Sequence, residues 1–320
     1  MRGEFSMISV AIATYNRAGM VREAVMAALR QTRAPDEVIV ADDASTDRTV
    51  EGILAIGDER VHVLRREANS GGVENWNCAM RSARGDFIAW CSDDDRFVPH
   101  HLEASVDFLE KHPEIGMVHS SFIDAIEADG RTEFAERKLR SKRALIVARR
   151  NLARYLLRYY NWPFHPSTLV MRREVWEQTG EFDARYALAD TDWFVRAAQK
   201  FKIAMLPRHG VWNRRHPDNW SNRVGSARMQ REIYEIVARR IGLVWRLVWR
   251  VNVKLRLAWT LGMRLGSGHA EAACAAWSVL TRETGWKLPR FVEWWGSAAI
   301  RRWCAGRAGS LGVRERVSPL

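Results

Sequence analysis

An alternation constrains this chain more than any single motif. Short apolar runs rich in β-branched residues each end in a polar or acidic turn, and segments with helical spacing separate them. Ile8–Ala13 reads as a buried strand closed by Thr14, Tyr15 and Asn16. Gly19–Gln31 then carries Met20, Val21, Val25, Ala28 and Leu29 at helical intervals. Val38–Ala41 ends at Asp42 and Asp43, and Thr46–Ile56 reads as a helix with Ser45 as its N-cap. Val61–Leu64, a helix over Val73–Ala83, and Phe87–Cys91 follow, the last running into Ser92, Asp93, Asp94 and Asp95. Leu102–Leu109 is helical, Met117–Ile123 and Ser167–Met171 strand-like, and Asp192–Phe201 helical. Strands alternating with helices predict an α/β fold: a mostly parallel, Rossmann-like central sheet flanked by helices. In such sheets ligands bind at the carboxyl ends of strands, so Asn16, Asp43 and Asp93–Asp95 should share one rim.

Charge divides the chain in two. Residues 228–320 hold 17 Lys and Arg against 6 Asp and Glu, while residues 1–227 hold 33 against 32. This predicts an electrically balanced domain over 7–227, a polar linker from Arg214 to Ser226, and a basic, Trp-rich helical region over 228–320. Met1–Ser6 is too short and polar for a secretion signal, and no run approaches the roughly 20 apolar residues that span a bilayer. Cys78, Cys91, Cys274 and Cys304 lack the short paired spacing of a zinc site or disulfide framework, which suits a reducing, cytoplasmic setting.

Three adjacent carboxylates after a buried strand repel one another unless water or a cation neutralises them. Asp93–Asp95 therefore reads either as a solvated acidic turn or as the seat of a hard divalent ion such as Mn²⁺ or Mg²⁺. Asp42 and Asp43 read as a strand-to-helix turn or as acceptors for a nucleotide's base and ribose. Asn69, Ser70, Gly71 and Gly72 form a loop that lets backbone approach a ligand at a helix start. Asp190 and Asp192 open a helix, where one can cap it or an ionised carboxylate can serve as general base. His216 follows Arg214 and Arg215, a grouping suited to a diphosphate or its metal.

Taken in order, Thr14-Tyr15-Asn16, Asp42 to Asp47, Asn69-x-Gly71, Asn77, Arg84-Gly85-Asp86, Asp93 to Asp95 with Pro99, Gly180 to Asp183, Asp190-x-Asp192 and Arg214-x-His216 resemble the family 2 glycosyltransferases of the GT-A type, over residues 7 to about 222. Ala44 stands where Gly is common in that family, and Trp76 where Arg is frequent. The resemblance implies inverting transfer from a nucleoside diphosphate sugar, with UDP favoured. It also implies that Thr14, Tyr15, Asn16, Asp43, Asn69, Gly71, Asn77 and Asp93 bind the nucleotide sugar. Asp94, Asp95 and His216 would hold the metal, Mn²⁺ or Mg²⁺, and Asp190 would be the base, with Asp192 the other candidate. The expected acceptor is a glycan or a lipid-linked sugar in cell-surface polysaccharide assembly. The alternative is a non-catalytic nucleotide-sugar-binding or membrane-adaptor protein.

From Arg239 the tail repeats cations at Arg246, Arg250 and Lys254, with Trp245, Val248, Trp249 and Leu255 on other faces. Such an amphipathic helix either lies in a membrane interface, which would place the protein peripherally on the inner face of the cytoplasmic membrane, or packs on the catalytic domain. Nucleic-acid binding is disfavoured, because no recognised module accompanies the charge.

Overall fold

A computed structural model describes residues 6–128, 131–136, 141–149 and 165–217, together with positions 139, 151, 152, 219, 232, 233, 235, 236 and 239. The membrane-facing expectation for the tail therefore lies outside the described residues. Among those residues no helix is long and apolar enough to cross a membrane.

The first half of the chain builds a parallel sheet. β1 (Ile8–Thr14) pairs in parallel with β2 (Glu37–Asp42) on one side and β4 (Phe87–Ser92) on the other, and β3 (Val61–Arg65) extends the sheet beyond β2. Every residue of β1 and β2 is buried, as strands covered on both faces require. The crossovers are α1 (Ala18–Leu29), α2 (Thr49–Leu54) and α3 (Gly72–Ser82). Val21, Ala24, Val25 and Ala28 of α1 point inward at helical spacing and are solvent-free. Because the chain steps from β1 toward β3 and then returns to the opposite side of β1, its strand order reverses beside β1. That is where an open α/β sheet leaves a crevice.

The second half is mixed. The sheet runs β3-β2-β1-β4-β9-β6-β10-β5, where β5 is Arg96–Phe97, β6 is Ile115–Ala128, β9 is Val170–Arg172 and β10 is Lys202–Arg215. β9 is antiparallel to both β4 and β6, and β10 is parallel to β6. β7 (Arg131–Glu136) pairs with β6, and β8 (Leu145–Val147) with β10. α4 (His101–Lys111), α5 (Arg173–Thr179) and α6 (Ala189–Lys200) cover this half.

Two features position the site. β10 is 14 residues long and shifts register against β6 at three places, and it delivers Arg214 and Arg215 to the rim that β1, β2 and β4 share. Gly210 permits this path: a Cβ there would lie 2.3 Å from both His101 Nδ1 and Ser120 Oγ. The second feature is an aromatic chain. Trp90 of β4 packs on Trp76 (centroids 4.7 Å apart) and Phe182 (4.6 Å), and Phe182 packs on Trp193 of α6 (5.6 Å). Trp90 and Trp193 are almost wholly buried, so the strand leading to the acidic cluster is keyed to the helix that bears Asp190. Trp76, where the family resemblance would put Arg, belongs to this packing.

Candidate active site

The three rim loops interlock. Thr14 at the end of β1 donates its hydroxyl to Asp93 Oδ2 at 2.9 Å. Asn16 accepts the Thr46 N–H on Oδ1 (2.8 Å), and its own N–H donates to Ser45 Oγ (2.8 Å). Ser45 thus ties two loops together and caps no helix; α2 begins only at Thr49. Two non-glycine residues adopt positive φ here, Asn16 (52°) and Ala44 (61°). Asn tolerates that region, whereas Ala pays a Cβ–carbonyl clash. Tyr15 stands 45% exposed at the same rim, an uncovered aromatic face beside the crevice.

Asp43 is nearly inaccessible and holds the glycine loop: Oδ1 accepts from Ser70 N–H (2.9 Å) and Ser70 Oγ (3.0 Å), and Oδ2 from Gly71 N–H (2.9 Å). Gly71 has φ 91°, a conformation open to glycine, and Asn69 Oδ1 also accepts its N–H at 3.2 Å. Asp43, Asn69 and Gly71 are therefore one unit at the start of α3. Asn77 stands apart from them. Its amide donates to the Phe182 carbonyl (3.1 Å) and accepts the Phe182 N–H (2.9 Å), so both polar ends serve the aromatic chain.

The acidic cluster consists of three unlike carboxylates. Asp94 Oδ2 is the meeting point, with Arg17 Nη1 at 3.0 Å, His216 Nε2 at 3.2 Å and Asn219 Nδ2 at 3.3 Å. Burial by itself would raise Asp94, but the His216 contact and the Arg17 charge hold it below the ordinary carboxylate range. Asp93 and Asp95 move the other way, pushed up first by burial and then by the charge on Asp94. Asp94 is thus the most acidic member of the cluster. Asp95, expected at the metal, is committed elsewhere: Ser167 donates its hydroxyl to Oδ2, and the Arg214 N–H donates to Oδ1 at 3.2 Å. With 1% exposure it fastens β10 to the loop after β4.

For a divalent cation, Asp94 and His216 fit: one ionised oxygen and one imidazole nitrogen converge on a point, and such ions take one or two protein ligands plus phosphate oxygens. No cluster of three or more His, Cys, Asp or Glu side chains suited to a metal occurs among the described residues. An open cleft of about 410 Å³, lined by Glu127, Arg215, His216, Pro217 and Asn219, adjoins the His216 side of this point.

Asp190 and Asp192 sit in the first turn of α6 with different fates. Asp192 is fully buried and paired with Arg196 Nε at 2.8 Å, while the other Arg196 nitrogens bond the Thr179 and Glu181 carbonyls. Asp190 keeps partial exposure and accepts the Thr191 N–H at 2.7 Å. Burial of its carboxyl pushes its pKa up to about 6, against the lowering effect of the Thr191 bond. A carboxylate tuned toward neutrality and open on one side has the attributes of a general base.

A parallel half-sheet with a crevice at its strand reversal, continued by a mixed half and flanked by helices, is a GT-A type of fold, and the carboxylates gather on its rim. The chain matches the model for glycosyl transferase family 2 over residues 9–180, more than half its length, and it belongs to that family as a glycosyltransferase. It is 31% identical over 204 residues to an uncharacterized glycosyltransferase of Bacillus subtilis, YwdF, covering 62% of this chain and 71% of that one. It is 30% identical over 235 residues to the uncharacterized Mycobacterium tuberculosis protein Rv1520, covering 68% of this chain and 64% of the relative. Among solved structures, residues 1–349 of Staphylococcus aureus TarS in complex with UDP-GlcNAc superpose with a TM-score of 0.56 at 20% identity, covering 72% of this chain and 64% of that fragment. That likeness speaks to the fold.

Proposed function

We propose that this glycosyltransferase moves a sugar from a nucleoside diphosphate sugar, a UDP-sugar by preference, to a hydroxyl of a glycan or lipid-linked acceptor, with inversion. The observation that carries the reading is the placement of the carboxylates: Asp94 Oδ2 meets Arg17, His216 and Asn219 at the rim, while Asp190 opens a separate helix and stays partly exposed. The UDP and UDP-GlcNAc complexes of TarS support the choice of donor by fold analogy.

In this reading Tyr15 and the Asp43–Gly71 unit line the nucleoside side, and Thr14 orients Asp93 toward the ribose. Asp94 and His216 would hold a cation, Mn²⁺ or Mg²⁺, which when bound would supply charge to offset the leaving diphosphate. Asp190 takes the acceptor hydroxyl's proton as that oxygen attacks the anomeric carbon from the face opposite the diphosphate. Asp192 is unsuited to that role, since its carboxylate is sealed in the Arg196 pair. We further propose that the basic tail keeps the enzyme on the inner face of the cytoplasmic membrane during cell-surface polysaccharide assembly; equal liposome flotation of the full chain and a form ending at Ser226 would discard this.

Calorimetry with a panel of nucleoside diphosphate sugars, with and without Mn²⁺, tests the donor reading. Binding of at least one UDP-sugar, strengthened by Mn²⁺, is expected. A chain that binds none of them under either condition is no nucleotide-sugar enzyme.

A further inference from the structure

The helix that carries Asp190 begins without a local cap. Its N-cap residue is Leu188, whose side chain makes no capping bond, and Thr191 occupies the place where a capping-box Glu or Gln would reach back to the Leu188 N–H. A distant residue fills that place. Glu232 Oε2 accepts the Leu188 N–H at 2.9 Å, and Glu232 is 8% exposed. Two further contacts come from the same segment. Ile236 is completely buried, and Arg239 Nη1 donates to the Tyr186 hydroxyl at 3.0 Å. Positions 232, 236 and 239 are all helical and are spaced by four and three residues, which puts them on one helix face. That face meets Tyr186 and Leu188, the two buried residues that lead into Asp190.

We propose that Glu232 is a positioning residue for the transfer reaction, capping the Asp190 helix from outside its own turn. The segment that bears Glu232, Ile236 and Arg239 then belongs to the catalytic apparatus. A carboxylate at a helix N-terminus also stabilises that end through the helix dipole. The Glu232 charge adds, behind burial, to what keeps Asp190 in its raised range. The fixed point matters because a base displaced by about 1 Å can lose roughly a hundredfold in rate.

The inference rests on Asp190 being the base, and its test keeps the two apart. In the full-length chain, release of UDP from the donor is measured for Glu232→Gln, Glu232→Ala and Asp190→Asn, alongside donor affinity by calorimetry and thermal melting. Gln keeps an oxygen that can accept the Leu188 N–H, so Glu232→Gln should stay within about threefold of wild-type turnover. Glu232→Ala should lose about tenfold or more in kcat, with donor KM and affinity within about twofold. Unchanged kcat in Glu232→Ala, an equal loss in Gln and Ala, or a change confined to KM would each overturn the proposal while leaving Asp190 in place. Wild-type turnover in Asp190→Asn would instead remove the base assignment itself. Should Glu232→Ala fail to fold, Tyr186→Phe replaces it: that variant loses only the hydroxyl bonded to Arg239, a fall in kcat at constant KM is expected, and an unchanged kcat overturns the proposal.

Discussion

Arg17 and Asp94 form the central ion pair of the site: Arg17 Nη1 lies 3.0 Å from Asp94 Oδ2 and 3.3 Å from His216 Nε2. A guanidinium of the chain's own therefore answers the same carboxylate oxygen that a divalent cation would use. A guanidinium and a divalent ion about 4 Å apart repel by roughly 8 kcal/mol at an effective dielectric near 20, and far less where water screens them. Arg17→Ala should accordingly bind Mn²⁺ without nucleotide about tenfold more tightly than the wild type. Electron paramagnetic resonance titration of free Mn²⁺ reads this directly, and equal affinities would show that the two cations do not compete.

Ala44 adopts φ 61°, where an L-residue pays roughly 1–2 kcal/mol that glycine avoids. Glycine's greater freedom in the unfolded chain returns part of that gain. Ala44→Gly should therefore stabilise the fold by about 0.5 kcal/mol or slightly more, seen as a small rise in Tm. A lower Tm would mean that the turn is not strained.

Asn77 should matter to stability more than to donor binding. Removing its amide with Asn77→Ala leaves a buried N–H and a buried carbonyl of Phe182 without their partner, at about 1–3 kcal/mol each. The expected result is a Tm lowered by several degrees with donor affinity within about threefold. A large loss of affinity at unchanged Tm would return Asn77 to the ligand.

The raised Asp190 has a signed consequence for pH. Its pKa rises from 3.8 to about 6 on folding, so the folded state binds the proton more tightly than the unfolded state. Its ionisation then costs stability progressively as pH rises from about 4 to 6, and the full cost persists above 6. Discounted for its partial exposure, that cost is about 1–2 kcal/mol. Asp190→Asn should therefore raise Tm by a few degrees at pH 8 and leave it unchanged at pH 3. Wild-type turnover should fall as pH drops below about 6. Equal melting of the two proteins at pH 8 would argue against a raised pKa.

Much of this site was legible in the sequence because β1, β2 and β4 are continuous apolar runs whose ends carry Thr14, Asp43 and Asp93–Asp95. A parallel sheet sends those ends to one rim, so the grouping followed from element order alone. The mixed half was less legible. β7 is exposed at every residue and shows no buried alternation, and β9 has only three residues, so neither carries a clear periodic signal. β10 spans Lys202–Arg215 because bulges let a polar stretch stay paired, and that stretch shows no apolar run. Its last residues read as the start of a linker, although Arg214 is buried and bonded to Asp95. The distinct fates of Asp93, Asp94 and Asp95 depend on Thr14, Arg17, Ser167 and His216, partners up to 122 residues away. No local pattern encodes them. The Glu232–Leu188 bond, across 44 residues, is of the same kind.

In the proposed mechanism Asp190 acts chemically at a site that binds its donor without it. Turnover of the UDP-sugar found by calorimetry, measured as UDP release in wild type and Asp190→Asn at pH 8 with donor affinity determined in parallel, tests this most directly. The predicted result is a loss in kcat of about 10² to 10⁴-fold with donor affinity unchanged within about twofold. Turnover by Asp190→Asn equal to that of the wild type would contradict it.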